Sequence, residues 1–426
     1  MISGKIISLI IKITDSIKPY LIKLLPIRLL RLIKRAMVSS AMERLGESSF
    51  LPFERSAFAD GVNLIGFIRG EIGLGQSCRL VAAGLEASGI DFTVYNYEQT
   101  SAMRFNDHTW EHKIIDTTPY NINLIHINPY ELPLAYLQLG SDVWNRRYNI
   151  AFWLWELEEF PAEWENSIKL ADEIWTPSEF ASSSIRAVTN KPVHTVPYPI
   201  SAEVDDQITR ETFSLPPETF LFLCMYDCNS TMERKNPMGA IRAYKQAFSR
   251  EEPGMGLVVK VNNPQQRDLD ILRGELEGYS NIYIISDIMD KPKVNALIAC
   301  VDVYISLHRS EGFGLVPAEA MFLGTPVIAT NWSSNTEFMN SDVSCMVDYE
   351  FVTIQKDIGP YKKGNRWADP DIAQAAKYMK KLYSEPEYHQ QLAKDAKAHI
   401  GNILSAERCA GLMRRRIAEI YEGTQI

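Results

Sequence analysis

The stretch VNLIGFIRGEIGLGQSCRLVAAGLEASGIDFTVYNY, residues 62–97, decides how the chain is to be read. VNLIGFI (62–68) is a continuous apolar run of strand length, and GEIGLGQ (70–76) is a turn. SCRLVAAGLEASG (77–89) has helical spacing and stops on Gly89, and DFTVYNY (91–97) is the next strand. A strand, a turn, a helix and a strand make a βαβ unit, whose crossover forces the two strands to run parallel. Buried strands of parallel sheets read as unbroken apolar runs, as these do.

The unit recurs along the chain. INLIHIN (122–128), YNIAFWLW (148–155), ADEIWTPS (171–178) and KPVHTVPY (191–198) continue a first series. The polar, proline-bearing stretch 199–219 reads as a linker. A second series follows with FLFLCMYD (220–227), GLVVKVN (256–262), NIYIISD (281–287), VDVYISL (301–307) and TPVIAT (325–330), with helices expected between them. The last 55 residues read as helices. The fold class is therefore α/β, with two parallel-sheet domains facing a cleft. The expected divisions are 1–45, 46–200, 201–400 and a C-terminal helix over 401–426. A length of 426 residues fits two domains better than one core.

Charge narrows the function. The net charge of −9 argues against a general nucleic-acid binder. It is unevenly spread: Lys5, Lys12, Lys18, Lys23, Arg28, Arg31, Lys34 and Arg35 face only Asp15 in residues 1–40, a local charge of +7. No apolar run there reaches the ~20 residues that span a bilayer, and basic residues interrupt every run that a signal peptide would need. From Ile27 onward, Arg28, Arg31, Lys34 and Arg35 share one helical arc and Leu29, Leu32, Ile33 and Ala36 the opposite one. Such a basic amphipathic helix, within 1–45, is expected on an anionic membrane surface, at the cytoplasmic face; the alternative is packing on the protein itself. The six cysteines, at 78, 224, 228, 300, 345 and 409, offer one close pair and no second one, so reduced thiols are expected rather than a metal site.

Ligands of open parallel sheets sit beyond the carboxyl ends of the strands, so the loops after strands hold the candidate residues. Gly73 and Gly75, after the first strand, let backbone approach an anion or simply make a tight turn. Arg234 and Lys235 precede a helix with Pro237 in its first turn; two cations at a helix N-terminus suit a diphosphate, although such a pair is often solvated surface. Lys260 interrupts or closes a strongly apolar strand, and spacing leaves a phosphate-facing role and an exposed strand end equally open. In SLHRSEGFGLVPAEAM (306–321), Glu311 lies in a glycine-bearing loop and Glu319 on the helix that follows. Two carboxylates so placed can accept from vicinal hydroxyls of one polyhydroxylated ligand. A solvent-facing Glu319 conflicts with its apolar neighbours Ala318, Ala320, Met321 and Phe322. His126 and His308 lie at strand ends; for His126 a structural role is as good as a ligand contact.

EGFGLVPAEAM (311–321) resembles the EX7E motif of retaining GT-B glycosyltransferases, most closely glycosyltransferase family 4, the group 1 type of bacterial polysaccharide synthesis. WLWELEEFPAEW, ADEIWTPSEFASSSI, ERKNPMGAIRAYKQAF, VVKVNN and GTPVIATNWSSNTEFM resemble that family in order, so the likeness covers roughly 60–420. The resemblance implies a GT-B fold whose last helices cross back to the first domain. It implies that Glu319 binds the nucleotide ribose, Glu311 the donor sugar, and Lys235 with Arg234 the diphosphate. Gly312, Phe313, Gly314 and Leu315 would line the sugar pocket, His308 and His126 could contact the sugar, and the Gly73–Gly75 loop would close on the phosphate. Many members carry an arginine early in the loop where this chain has DCNST (227–231), so Arg234 or Lys260 would substitute. The implied reaction is metal-independent transfer of a hexose, mannose-like by preference, from a nucleotide diphosphate sugar to a glycan or lipid-linked glycan, with no cofactor. A non-catalytic sugar-nucleotide-binding scaffold is the alternative, and donor turnover separates the two.

Overall fold

The structure is a computed structural model that describes residues 50–98, 104–250 and 252–423. The basic segment 1–45, read above as a membrane-surface helix, lies outside the described residues.

The first half runs β1 (Ala59–Gly66), α1 (Gly73–Ser88), β2 (Phe92–Asn96), β3 (Tyr120–His126), α2 (Leu132–Leu139), β4 (Tyr148–Phe152), β5 (Glu173–Thr176), α3 (Glu179–Arg186) and β6 (Val193–Thr195). The second runs β7 (Phe220–Asp227), α4 (Met232–Lys235), α5 (Pro237–Ala247), β8 (Met255–Asn262), α6 (Gln266–Glu275), β9 (Ile282–Ile285), α7 (Lys291–Cys300), β10 (Val303–Ser306), α8 (Leu315–Leu323), β11 (Val327–Thr330) and β12 (Cys345–Val347). An antiparallel hairpin, β13 (Tyr349–Thr353) and β14 (Arg366–Pro370), precedes α9 (Ile372–Ser384), α10 (Pro386–Ile403) and α11 (Ala406–Gly423).

Each half holds a six-stranded sheet, in the orders β2-β1-β3-β4-β5-β6 and β12-β11-β10-β7-β8-β9. All pairings in both sheets are parallel. The expected α/β architecture is therefore the observed one. The strand interiors are buried on both faces, as the unbroken runs require: Val62, Leu64 and Ile65 in β1 and Leu257, Val258 and Val259 in β8 are wholly buried. At the entry of the first sheet an asparagine ladder replaces apolar packing. Asn63 Nδ2 donates to Asn123 Oδ1 at 2.9 Å, and Asn123 Nδ2 to Asn149 Oδ1 at 2.8 Å, so the buried amides satisfy one another.

The stretch 199–219 joins the two sheets, between β6 and β7, and it is anchored along its length: Ile200 N donates to Leu404 O at 3.0 Å, Arg210 pairs with Asp302 at 2.7 Å, and Phe213 and Leu215 are buried. The hairpin β13–β14 was not foreseen, because its period-2 alternation is short and broken by Gly359, Pro360 and Gly364.

The C-terminal helix α11 packs on α1 of the first half. Arg416 Nη2 meets Glu173 Oε2 at 2.6 Å and its Nε meets Oε1 at 3.0 Å, on a carboxylate that is fully buried. Arg414 donates to Ser88 O at 2.8 Å, and Tyr421 to Asn121 Oδ1 at 2.8 Å. Met413 lies over Gly84, where a Cβ would come within 2.7 Å of its methyl carbon.

Candidate active site

Strand order locates the site. In the second sheet β7 is flanked by β8 on one side and β10 on the other, so the chain's direction of travel reverses between β7 and β10. The loops leaving two such strands diverge and open a crevice at their carboxyl ends. Lys235 follows β7 and Glu311 follows β10, so the topology brings together two residues 76 positions apart.

Local sequence aims the side chains. Arg234 and Lys235 end the one-turn helix α4, and Asn236 breaks it at φ 47°, a left-handed conformation that asparagine tolerates. Asn236 then caps α5, accepting from Gly239 N at 3.2 Å while donating to Leu307 O at 2.8 Å. The same residue thus caps α5 and ties it to the β10 loop. Lys235 Nζ donates to Glu311 Oε1 at 2.5 Å, and Arg234 Nη1 to Glu311 Oε2 at 3.2 Å. Burial pushes the Glu311 carboxyl up, but the charges of Lys235 and Arg234 outweigh it and hold the group at about 2. Burial pushes the Lys235 ammonium down, with Glu311 opposing.

Arg234 is placed differently from the expected phosphate ligand. It is 4 % exposed, and its guanidinium also donates to Ser310 O at 2.8 Å and Ser230 O at 3.4 Å. It fixes the loop and Glu311 from beneath, whereas Lys235, less enclosed, keeps a path to a ligand. Glu311 N donates to Ser333 Oγ at 2.8 Å and Ser334 Oγ to Glu311 O at 2.6 Å, which completes the frame.

Gly312 and Gly314 make close approaches possible. A Cβ on Gly312 would stand 3.0 Å from Trp155 O, and Gly314 sits at φ +92°. Phe313 packs on Tyr198 of the first half with ring centroids 4.6 Å apart, and Leu315 opens α8. Glu319, on α8, is 1 % exposed, so the solvent-facing alternative is excluded. Neither of its oxygens accepts a hydrogen bond among the described residues, although Lys291 Nζ lies 2.6 Å from Oε2 in an ion-pair contact without hydrogen-bond geometry. His308 is fully buried, and the side chain of the buried Asn335 lies within its reach. Glu319, His308 and Asn335 are thus polar side chains enclosed around the loop that follows β10.

The other expected residues have partners of their own. Lys260 is fully buried inside β8, not at an exposed strand end, and donates to Asn262 Oδ1 at 2.6 Å; burial pushes its ammonium down to about 8. Gly75 serves its own turn, since a Cβ there would stand 2.0 Å from Gly70 O, whereas Gly73 faces open space. His126 is buried in the first half, with Nε2 2.8 Å from Ser77 Oγ and its ring stacked on Phe152 at 5.0 Å. That contact chain continues through Phe152 to Tyr198 at 6.0 Å, so His126 meets the cleft through other side chains.

Burial lowers both His126 and His308 from 6.5 to about 4. A histidine kept neutral by the fold contributes stability that is complete above pH 6.5 and is lost as pH falls toward about 4, because the unfolded chain takes up its proton first. The urea midpoint is expected to fall across that window, and less steeply in His308→Gln; an unchanged slope in the variant would contradict the assignment.

Several residues at the site were not singled out in the sequence. The loop after β4 brings Glu156 to 3.9 Å from Arg234, and the hairpin brings the Tyr361 ring centroid to 6.0 Å from the Arg234 guanidinium. Ser310 Oγ donates to Glu156 O. The same loop is held to the hairpin by Arg366–Glu158 at 2.7 Å, Lys362–Glu163 at 2.7 Å and Asn365–Glu159 at 2.6 Å. Three acids and aromatics directly after a strand, in WLWELEEF, were the available signal. Among the described residues no three His, Cys, Asp or Glu side chains are grouped to hold a metal ion, all six cysteines are free, and no helix is long and apolar enough to cross a membrane.

Two parallel-sheet halves with the crevice at their switch points, and a last helix returning to the first half, define the GT-B architecture. Residues 225–399 match the family model described as glycosyl transferases group 1, a span that contains Lys235, Glu311 and Glu319. Among solved structures, HepE of Anabaena in complex with UDP-glucose is similar at a TM-score of 0.61 and 13% identity, covering 85% of this chain and 100% of that one. Sucrose-phosphate synthase of Thermosynechococcus elongatus gives the same TM-score of 0.61 at 13% identity, over 85% and 100% of the two chains. A glycosyltransferase of Rickettsia africae follows at 0.60 and 13%, over 85% and 99%. At such identities it is the fold that is shared. No curated protein sequence matches the chain.

Proposed function

We propose that the protein is a retaining glycosyltransferase that moves a hexose from a nucleotide diphosphate sugar to a glycan or lipid-linked glycan. The observation that carries this reading is the Lys235–Glu311 pair, 2.5 Å apart at the β7/β10 switch point, with the buried Glu319 on the helix that follows the Glu311 loop. In the proposed complex Glu319 accepts from the ribose hydroxyls and Glu311 from a hydroxyl of the donor sugar. Lys235 turns from Glu311 to the diphosphate. The HepE structure with UDP-glucose supports a nucleotide sugar as the donor class. A sugar of mannose type, an acceptor at the cytoplasmic membrane face and contact of segment 1–45 with anionic lipid complete the proposal.

The chemistry follows from charge. The bond from the anomeric carbon to the phosphate oxygen breaks, and the nucleoside diphosphate leaves with the electron pair. Lys235 stabilises that charge in a site already closed to water on most sides. The acceptor oxygen bonds to the anomeric carbon on the face the leaving group vacates, and its proton passes to the departing phosphate. Atoms and charge balance without a metal, a cofactor or a base from the protein.

A panel of nucleotide sugars tests the reading, by thermal shift and then by nucleotide release with a lipid-linked acceptor. One donor should raise the melting temperature and release nucleotide. Glu319→Ala should weaken donor binding at least about ten-fold, as loss of charge-assisted hydrogen bonds predicts, and Glu311→Ala should lower turnover more than binding. Wild-type transfer by both variants would refute the site.

A further inference from the structure

We infer that Ser333 is a positioning residue: its hydroxyl pins the backbone of Glu311, and its own backbone is held in a strained conformation that places the hydroxyl there. This role rests on the donor-site reading above, in which Glu311 accepts from a hydroxyl of the donor sugar. It belongs to the loop after β11, which the Glu311–Glu319 motif does not include.

Ser333 has φ 71° and ψ −154°, a combination essentially confined to glycine. Thr231, in the loop after β7 that leads to Lys235, also has positive φ, at 69° with ψ 107°. Strained residues other than glycine thus stand on both sides of the Lys235–Glu311 pair. The surroundings keep Ser333 as it is. Its carbonyl accepts from Thr336 N at 3.2 Å and from Thr336 Oγ1 at 2.8 Å. Before it in the chain, Thr330 Oγ1 donates to His308 O at 2.6 Å. After it, Asn335 Nδ2 donates to Thr330 O at 3.0 Å, and the Asn335 side chain stands against Gly314, where a Cβ would come within 3.0 Å of it. The loop after β11 is therefore fastened to the loop after β10 on either side of Ser333.

What the strain secures is the backbone of Glu311. Ser333 Oγ accepts from Glu311 N at 2.8 Å, and Ser334 Oγ donates to Glu311 O at 2.6 Å. The peptide groups before and after the Glu311 Cα are both pinned, which fixes the direction in which its side chain leaves the loop. A glycine at 333 would hold the same backbone without strain. It would bring no acceptor, and Glu311 lies in a buried loop where an unpaired N–H is costly. The clamp matters most once a donor is bound. In the free site Lys235, at 2.5 Å, and Arg234, at 3.2 Å, hold the carboxylate itself. When Lys235 turns to the diphosphate, the carboxylate keeps Arg234 and the backbone keeps the two serines. The serines then maintain the alignment of Glu311 with the sugar hydroxyl, and a small misplacement there slows transfer steeply.

Ser333→Gly and Ser333→Ala both remove the hydroxyl, and only the alanine keeps the strain. The full chain is assayed with the nucleotide sugar selected from UDP-glucose, GDP-mannose and ADP-glucose, with the acceptor of the panel above. The matching nucleoside diphosphate, which has no sugar for Glu311 to meet, is the binding probe. Both variants should lower single-turnover nucleotide release about ten-fold, the scale of one lost hydrogen bond. The dissociation constant of the nucleoside diphosphate should stay within about two-fold of wild type, as expected when only the sugar's alignment is lost. In urea, Ser333→Gly should unfold at a higher midpoint than Ser333→Ala, since relief of the strain outweighs the greater freedom of glycine in the unfolded chain. Release at the wild-type rate by Ser333→Gly overturns the positioning role. So does an equal loss of release and of nucleoside diphosphate affinity, which would mark a general loosening of the site. An alanine midpoint at or above that of glycine overturns the strain. A wild type that releases nucleotide from none of the three sugars would refute the donor-site reading and the positioning role with it, whereas failure in the variants alone leaves that reading standing.

Discussion

Lys235→Ala should lower kcat about 10³-fold, the scale seen when one charge-stabilising donor is removed from a water-poor site. Lys235 is the cation at the β7/β10 crevice with room to reach a ligand, since Arg234 is enclosed and holds Ser310 O and Glu311. Removing Lys235 leaves the leaving group's charge unanswered, and it leaves Glu311 with Arg234 as its remaining partner in that frame. The effect should fall on the step that breaks the sugar–phosphate bond, so single-turnover nucleotide release is the measurement. Arg234→Ala should differ in kind: it should destabilise the fold as well as slow turnover, because Glu311 and two carbonyls lose their donor. A Lys235→Ala enzyme within ten-fold of wild type would mean that another group faces the diphosphate.

Arg416→Ala should be the most destabilising single change outside the site, by about 3–5 kcal/mol, the cost of leaving a buried charge without its partner. Glu173 is fully exposed to that loss. It is 0% solvent-accessible, and Arg416 meets both of its oxygens, at 2.6 and 3.0 Å. Besides Arg416, Glu173 has the Tyr148 hydroxyl at 3.0 Å and the Trp175 indole at 2.5 Å, both neutral donors, and the half-exposed His194, whose Nε2 stands at 3.7 Å, too far for a hydrogen bond. Since α11 joins the first half chiefly through Arg414, Arg416, Tyr421 and Met413, the change should also loosen the helix. Urea denaturation checks the stability, and hydrogen exchange over 406–423 checks the helix. A shift below about 1 kcal/mol, the range of exposed pairs, would show that the contact is not desolvated in solution.

Much of the architecture was legible because parallel sheets impose a coarse and repeated pattern. VNLIGFI, FLFLCMYD and GLVVKVN are apolar without alternation because both faces of their strands are covered, and the helices between them follow from chain connectivity. Lys235 and Glu311 stood out in the sequence because each lies in the segment after an apolar strand, and Glu319 because it falls on the helix that follows the Glu311 loop. Pairings across long separations were not. Arg234 looks like a surface cation until Ser310, 76 positions away, closes over it. Whether Lys260 interrupts or closes its strand stayed open, because periodicity does not tell which residue of an apolar run is the last one covered; it lies within β8 and is fully buried. The hairpin β13–β14 was missed because its turn residues resemble any polar loop. Lys291 carries no local signal at all, and its partner becomes visible only once α7 and α8 are packed side by side.

The bridge between the loop after β4 and the hairpin has a consequence for the medium in which the protein works. Its charged members are wet: the Arg366 and Glu158 side chains are 53% and 37% exposed, and those of Lys362 and Glu163 46% and 49%. Each such pair contributes little alone and is screened over about 10 Å at 0.1 M salt. The aromatic contact beneath them, Trp155 on Tyr361 at 5.7 Å, does not respond to ions in this way. The seam therefore has a salt-sensitive rim over a salt-insensitive base. Ionic strength acts as a dial on how readily the two halves part, and dilute buffers overstate their cohesion.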